Sequence, residues 1–152
     1  MAHPEERLAE LGLTVPEVPK PVAVYIPAVR SGNLVFTSGQ LPMRSGELIQ
    51  TGKVGGDVSP QEAVECARQC ALNAIAAVKA ELGDLGLVKR VVKAVVFVAS
   101  TPDFTGQPQV ANGASELFGK AFADAGVHAR SAVGVPVLPL DAPVEVELVV
   151  EF

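Results

Sequence analysis

Alternating and clustered apolar positions divide the chain into short strands and amphipathic helices. The segments VAVYIPAV (22–29) and NLVFTSGQLP (33–42) are rich in β-branched residues and meet at a glycine-containing turn, Arg30–Asn33. This pattern is typical of a β-hairpin. The following stretch, Met43 to Val58, contains several glycine or turn-forming breaks. It predicts a loop with at most one short strand.

The segment SPQEAVECARQCALNAIAAVKAELG carries the clearest helix signals in the chain. Ser59 is placed to cap the N-terminus, Pro60 suits the first helical position, and Glu62 completes a capping box. Gly83 is placed to end the helix. The apolar residues at helical spacing form one alanine-rich stripe, which predicts close packing against a sheet. The stripe consists of Ala63, Ala67, Cys70, Ala71, Ala74, Ile75, Val78 and Leu82.

A long β-branched run follows, LVKRVVKAVVFVAS, from Leu87 to Ser100. Its apolar end predicts a central strand covered on both faces. A second helix is predicted from about Val110 to Ala125, with Gly126 ending it. Its apolar face contains Leu117, Phe118, Ala121 and Phe122.

The chain closes with two strand patterns, RSAVGVPVL and VEVELVVEF, which we predict to form a hairpin across Pro139–Pro143. The resulting order, ββ(β)αβαββ, predicts an α+β fold. Two helices would cover one face of a mixed or antiparallel sheet. The other face, rich in valine, would be buried by association with another chain.

Composition and charge narrow the function classes. The chain has 152 residues, a formal net charge of −5 and no dense cluster of lysine and arginine. Nucleic-acid binding is therefore disfavoured, because it normally requires a basic surface. The start of the chain is charged, with a helical pattern at about Glu5–Leu11 ending at Gly12, and no apolar run approaches the ~20 residues of a membrane span. We expect a cytoplasmic protein.

The two cysteines do not predict a metal site. Cys66 and Cys70 are four residues apart, on one face of the first long helix. Two thiolates without a nearby histidine do not complete a zinc site, and helix geometry disfavours a disulfide between them. We therefore expect small buried side chains. The chain also lacks a phosphate-loop, dinucleotide-binding or His-x-x-x-His motif, so we expect neither a metal nor an organic cofactor.

Three positions near the C-terminus are candidates for chemistry. Arg130 precedes a run of residues that cannot ionise, and it could hold a carboxylate in a bidentate fork or simply lie in water. Glu145 and Glu147 alternate with apolar residues, so they share one face of the last strand, which could equally be a solvated face. His128 could titrate near neutral pH or be an ordinary surface histidine.

Two motifs together resemble the YjgF/RidA family: TSGQLP (Thr37–Pro42), and the Ala-Arg-Ser, Leu-Pro and Val-Glu-Val-Glu elements between Ala129 and Glu147. The resemblance extends over Val22–Glu151. It implies a chorismate-mutase-like, YjgF-type α+β fold and a homotrimer with clefts between subunits. Residues 1–21, a helix and a proline-rich connector, would be an N-terminal extension of a domain spanning residues 22–152.

The resemblance also implies roles for individual residues. Family members with the arginine hydrolyse enamine and imine intermediates of amino acids to 2-oxo acids and ammonia. By position, Arg130 would bind the substrate carboxylate and Glu145 would position water. The residues that would line the cleft by the same carry-over are Tyr25, Ser38, Gly39, Asn112 and Ala132.

The chain also departs from the family pattern. Deaminases of the family commonly carry a cysteine where this chain has Ala132, and often an aromatic–proline pair where it has Val127 and His128. These differences leave three functions open. The first is hydrolysis of 2-imino acids, the second is non-catalytic binding of a small carboxylate metabolite by a trimer, and the third is endoribonuclease or translation-inhibitor activity. The negative net charge disfavours the third.

Overall fold

The computed structural model describes residues 2–18 and 24–152. The helices are α1 (Pro4–Glu10), α2 (Pro60–Leu82) and α3 (Gln107–Phe122), with short 3-10 turns at Leu85–Leu87, Ala123–Gly126 and Pro139–Asp141. The strands are β1 (Ala28–Ser31), β2 (Leu34–Thr37), β3 (Met43–Arg44), β4 (Glu47–Leu48), β5 (Arg90–Ala99), β6 (Ala129–Val135) and β7 (Val144–Glu151). The predicted order of the two long helices and the strands of the large sheet is confirmed. The prediction of at most one short strand between Met43 and Val58 is wrong, because this segment contains two, which pair as the small β3–β4 hairpin.

Five strands form one sheet in the order β1-β2-β7-β5-β6, while β3 and β4 pair separately. All neighbours in the large sheet are antiparallel except β5 and β6, which are parallel. Helices α2 and α3 pack on one face of this sheet. The α+β class and the mixed sheet are therefore confirmed.

The prediction that the last two strands form a hairpin is wrong. Strand β5 lies between β6 and β7 and pairs with both of them. Because α3 connects β5 to β6 as a crossover, β6 runs parallel to β5 and occupies one of its edges. The 3-10 turn Pro139–Asp141 then carries the chain past β5, so that β7 pairs with its other edge.

Two predicted boundaries shift for local reasons. The first strand was expected over residues 22–29, but β1 begins at Ala28, and Val22 and Ala23 lie outside the described residues. Helix α3 begins earlier than predicted because Pro108 fits the first helical turn. It also ends earlier, at Phe122, because Ala123 has a positive φ of 53°.

Helix α2 follows its sequence signals. Ser59 accepts a hydrogen bond from the Glu62 amide, and the Glu62 carboxylate accepts one from the Ser59 amide. Gly83 ends the helix with a left-handed φ of 81°. The whole predicted apolar stripe is buried. No helix in residues 2–18 and 24–152, including this one, has the length and hydropathy to cross a membrane.

Helices α2 and α3 touch backbone to backbone. A Cβ atom built on Gly113 of α3 would overlap the Val64 carbonyl of α2. Glycine is therefore required there so that α2 and α3 can pack closely side by side on the sheet.

The N-terminal segment packs onto the body of the protein. Leu8 of α1 is fully buried in the common core. The Arg7 guanidinium donates to the Lys120 carbonyl at 2.7 Å, and His3 Nε2 lies 2.7 Å from the Asp84 carboxylate. The predicted domain boundary between residues 21 and 22 falls outside the described residues, so it stays a prediction.

We predict opposite effects for two alanine substitutions in α3. Gly113→Ala forces the helices apart and should lower the free energy of unfolding by about 1–3 kcal/mol. Gly119→Ala should leave it unchanged or raise it by up to about 1 kcal/mol, since a Cβ at Gly119 meets nothing within 4 Å and alanine favours helix. Urea denaturation measures both values, and equal effects would contradict the close contact at Gly113.

Candidate functional site

Arg130 lies on the helix-covered side of the sheet, beside α3. Strand β6 places it opposite Ala94 of β5, whose side chain is fully buried under the helices. Its Nη1 donates to Asn112 Oδ1 at 2.8 Å and to Ser115 Oγ at 3.2 Å. Asn112 and Ser115 are three residues apart on α3, so both side chains point from the same face of that helix.

These contacts leave most of the Arg130 guanidinium uncommitted. In the described parts of the chain, only Nη1 is hydrogen-bonded, and no aspartate or glutamate forms an ion pair with it. The side chain is half-buried. A guanidinium that is oriented by neutral partners and keeps free N–H donors is suited to bidentate binding of a carboxylate.

Sequence reasoning missed Ser115 and left two interpretations of His128. Ser115 Oγ lies 2.9 Å from His128 Nε2, and His128 Nδ1 lies 2.6 Å from the Gly126 carbonyl oxygen. The imidazole is half-buried and packs edge-on against the Phe118 ring, with the ring centroids 5.6 Å apart. His128 is therefore not a freely solvated surface histidine. The i, i+3 spacing from Asn112 was the signal that could have identified Ser115.

Glu145 and Glu147 lie together on the open face of the sheet. They alternate along β7 with buried Val144, Val146 and Leu148, as the sequence predicts. Across the β5–β7 register, Glu145 lies opposite Phe97 and Glu147 lies opposite Val95.

Backbone and burial define the surroundings of Glu145. A Cβ atom on Gly39 would overlap the Glu145 carboxylate, so only glycine allows this approach. The next residue, Gln40, forms two backbone hydrogen bonds with Val146 of β7, which hold the Gly39 backbone beside this strand. Partial burial raises the pKa of the Glu145 carboxyl, and the negative charge of Glu147 raises it further.

A single chain does not bring Arg130 and Glu145 together. Glu145 shares the open face with Phe97 and Val133, which lie in one row across β7, β5 and β6. Arg130 is three residues before Val133 on β6 and lies on the opposite face, because side chains alternate along a strand. Among the described residues, Arg130 and Glu145 therefore form no ion pair within one protomer.

The remaining predicted residues divide between the same two places. Asn112 contacts Arg130, and Ala132 lies on the Arg130 side of β6, opposite Val96. Ser38 lies next to Gly39, and its hydroxyl donates to the Ile26 carbonyl at 2.6 Å. Tyr25, which precedes Ile26, is 58% exposed. We call the first group the arginine half-site (Asn112, Ser115, Arg130, Ala132) and the second the glutamate half-site (Tyr25, Ser38, Gly39, Glu145).

The cysteines belong to the core, as predicted. The pKa of the Cys66 thiol is raised to about 11, mainly by burial. Burial also raises the pKa of the Cys70 thiol well above its usual value. Cys70 Sγ also donates to the Val144 carbonyl at 3.5 Å. Both side chains are therefore thiols at neutral pH and are buried in the core.

A cavity of about 750 Å³ lies apart from both half-sites, between the segment after α1, the β3–β4 hairpin and α2. Arg44 Nε donates to the Gln69 side chain in its wall at 3.2 Å. The wall contains neither Arg130 nor Glu145, and it approaches the glutamate half-site only at Gln40. The cavity is therefore not the site that the sequence predicts.

The chain is similar in sequence to one family model and to several named proteins. The family model described as Endoribonuclease L-PSP matches residues 16–152. Protein TCP17 of Trypanosoma cruzi is 46% identical over 146 residues, which cover 95% of this chain and 91% of that protein. The 2-iminobutanoate/2-iminopropanoate deaminase of Escherichia coli is 34% identical over 134 residues, 86% of this chain and 89% of that protein.

Solved structures share the fold. Atu1372 of Agrobacterium tumefaciens, a protein with unknown function, is 48% identical with a TM-score of 0.93, covering 98% of this chain and 92% of that one. That coverage includes helix α1. The YjgF gene product of E. coli is 32% identical with a TM-score of 0.65, covering 89% and 93% of the two chains. E. coli TdcF with bound serine is 26% identical with a TM-score of 0.66, covering 90% and 94%.

The match over nearly the whole chain agrees with the Ser-Gly-Gln turn at Gly39, the arginine of β6 and the paired glutamates of β7. The protein is therefore a member of the YjgF/RidA family, whose family model carries the description Endoribonuclease L-PSP.

Proposed function

We propose that the protein hydrolyses 2-imino acids derived from amino acids to 2-oxo acids and ammonia, at clefts between the subunits of a homotrimer. The observation that carries this proposal is the Arg130 guanidinium, which neutral side chains orient while most of its donors stay free. Two relatives agree with an amino-acid-like carboxylate as ligand. One is the E. coli 2-iminobutanoate/2-iminopropanoate deaminase, and the other is TdcF, whose structure holds serine.

The chemistry needs few groups. The iminium carbon of a 2-imino acid is already electrophilic, so hydrolysis requires a carboxylate anchor, a positioned water and a proton acceptor. Arg130 would supply the anchor. Glu145 would accept a proton from water as the C–O bond forms and would return it to nitrogen. As the C–N bond then breaks and ammonia leaves, the new hydroxyl group would lose its proton to Glu145 and become the carbonyl of the 2-oxo acid, and Glu145 would pass this proton to the departing ammonia. Its raised pKa brings this carboxyl closer to neutral pH, where it can both accept and donate.

The separation of the half-sites favours a site shared between chains. On the open face, β1 and β2 present exposed Val29 and Phe36, and β6 presents Val133, which is 44% exposed. A second copy of the chain would bury this apolar surface. In a closed head-to-tail ring, each chain presents two different surfaces to its two neighbours. The arginine half-site of one subunit would then face the glutamate half-site of the next.

A non-catalytic trimer that binds small carboxylates is the second candidate. It is favoured by Ala132, which occupies the position where deaminases of the family commonly have cysteine. Under this alternative Arg130 would still bind the carboxylate, but Glu145 would not catalyse hydrolysis. Endoribonuclease activity has less support, because the chain has a net charge of −5 and its sequence has no dense cluster of lysine and arginine to bind RNA.

Substitutions in the two half-sites separate these functions. With freshly generated 2-aminoacrylate, which tautomerises to 2-iminopropanoate, Glu145→Gln should lower kcat by about 10²–10⁴-fold while pyruvate still binds. Arg130→Ala should abolish both turnover and pyruvate binding, and Arg130→Lys should not restore them, since lysine cannot form the bidentate pair. No turnover by the wild-type protein, together with intact pyruvate binding, would support the binder instead.

A mixing experiment tests whether the site is shared. Co-expression of Arg130→Ala and Glu145→Gln chains in equal amounts should restore about a quarter of wild-type activity in the unfractionated mixture and about a third in the isolated mixed trimers, because each cleft would take its two residues from different chains. Mixed oligomers are isolated with two affinity tags, and sedimentation determines their subunit number. Oligomers that contain both chains and stay inactive would show that both residues act from one chain. A monomer of 15.7 kDa would exclude the trimer.

The raised pKa of the Glu145 carboxyl predicts how kcat/KM changes on the acid side of the pH profile. The reaction needs the ionised carboxylate, so kcat/KM should fall as the pH drops through this raised pKa. Glu147→Gln removes the neighbouring negative charge, which lowers the pKa of Glu145 and moves the acid limb to lower pH. Glu151→Gln, at the far end of the same strand face, is the matched control and should leave the limb in place. An unchanged limb in Glu147→Gln would argue against Glu145 as the titrating group.

A further inference from the structure

A chain of hydrogen bonds leads from Arg130 towards the core, and all of its donors point in the same direction along the chain. The Gly126 carbonyl can only accept, so the proton of the neutral His128 ring lies on Nδ1, 2.6 Å away. His128 Nε2 is then an acceptor for the Ser115 hydroxyl at 2.9 Å. Since arginine can only donate, Ser115 Oγ uses a lone pair to accept from Arg130 Nη1 at 3.2 Å. Each group in the sequence Arg130, Ser115, His128, Gly126 donates to the next.

The inner end of this chain is rigid. The Gly126 backbone is packed so closely on the Phe118 carbonyl that a Cβ atom on Gly126 would overlap it. Phe118 itself is fully buried, and its ring meets the His128 ring edge-on at 85°. His128 is therefore fixed at two points by the core, by its Nδ1–H bond to Gly126 and by the contact of its ring with Phe118. Its hydrogen bond in turn holds the Ser115 hydroxyl in a defined position.

We propose that His128 is a positioning residue for the carboxylate anchor, holding Arg130 in place through the Ser115 hydroxyl. This inference rests on the proposed function in that it takes Arg130 as the group that binds the substrate carboxylate. Asn112 holds the same nitrogen of Arg130 independently, at 2.8 Å. His128 and Ser115 supply the second constraint, which limits rotation of the guanidinium about the Asn112 contact. The free donors of Arg130 are then ordered before the ligand arrives, and less entropy is lost on binding.

Matched substitutions separate the hydrogen-bonding role of His128 from its packing role. His128→Phe keeps an aromatic ring against Phe118 but removes the acceptor for Ser115. His128→Gln loses the ring but restores an acceptor, Oε1, at about the place of Nε2. Positioning therefore predicts that His128→Phe is impaired and His128→Gln is rescued, whereas a purely structural role predicts the reverse.

The first measurement is made without turnover. In the full-length oligomer we expect His128→Phe to weaken binding of pyruvate by about tenfold, the effect of one hydrogen bond to a charged group, and His128→Gln to bind within about twofold of wild type. In turnover with 2-iminopropanoate, KM should rise in His128→Phe while kcat changes little. Ser115→Ala should match His128→Phe. The double variant should be no worse than either single one, because both break the same link.

A second measurement reports on Arg130 directly and needs no ligand. Nitrogen-15 NMR of the arginine side chains should show the Arg130 guanidinium immobilised in the wild type and His128→Gln, and more mobile in His128→Phe, where the Asn112 contact remains but the Ser115 contact is no longer fixed. If Arg130 is equally ordered in all three proteins, or if the double-variant effects simply add, His128 does not act through Ser115. If the Arg130 guanidinium becomes more mobile in His128→Phe as expected, but the wild type binds no pyruvate, His128 does position Arg130. The proposal that Arg130 binds the substrate carboxylate is then wrong.

Discussion

The central position of β5 in the sheet is the constraint on which the rest of the structure depends. Its side chains alternate between a fully buried face under α2 and α3, with Ala94, Val96 and Val98, and a half-buried open face. Both backbone edges of such a strand need partners, because unpaired buried N–H and C=O groups are costly. The crossover through α3 provides β6 on one edge, and the return of the chain provides β7 on the other.

That arrangement explains why the candidate site is divided. Arg130 and Glu145 lie on strands that flank β5, and the alternation of side chains sends them to opposite faces. The two residues are therefore separated by the sheet itself. Assembly of several chains is the simplest way to unite them, and it would also cover the apolar open face.

The two half-sites differ in how their charges are maintained. Arg130 is held by uncharged partners that leave its charge available to a ligand. Glu145 lies against the Gly39 backbone with another carboxylate nearby, and both burial and repulsion favour its protonated form. An anion anchor and a proton acceptor need these contrasting environments. The His128 ring extends the arginine half-site towards the core through hydrogen bonds with Ser115 and the Gly126 carbonyl.

The sequence by itself determined the features that depend on near neighbours along the chain. The capping box at Ser59, the stop at Gly83, the buried stripe of α2 and the alternation of Glu145 and Glu147 all follow from local geometry and periodicity. The fold class followed from the order of these elements, and the family followed from its motifs. Only the tertiary structure decided that β5 separates β6 from β7, that Gly39 meets Glu145, and that Ser115 and His128 reach Arg130. These contacts join residues from different elements, and their geometry depends on strand order and helix packing, which local periodicity does not encode.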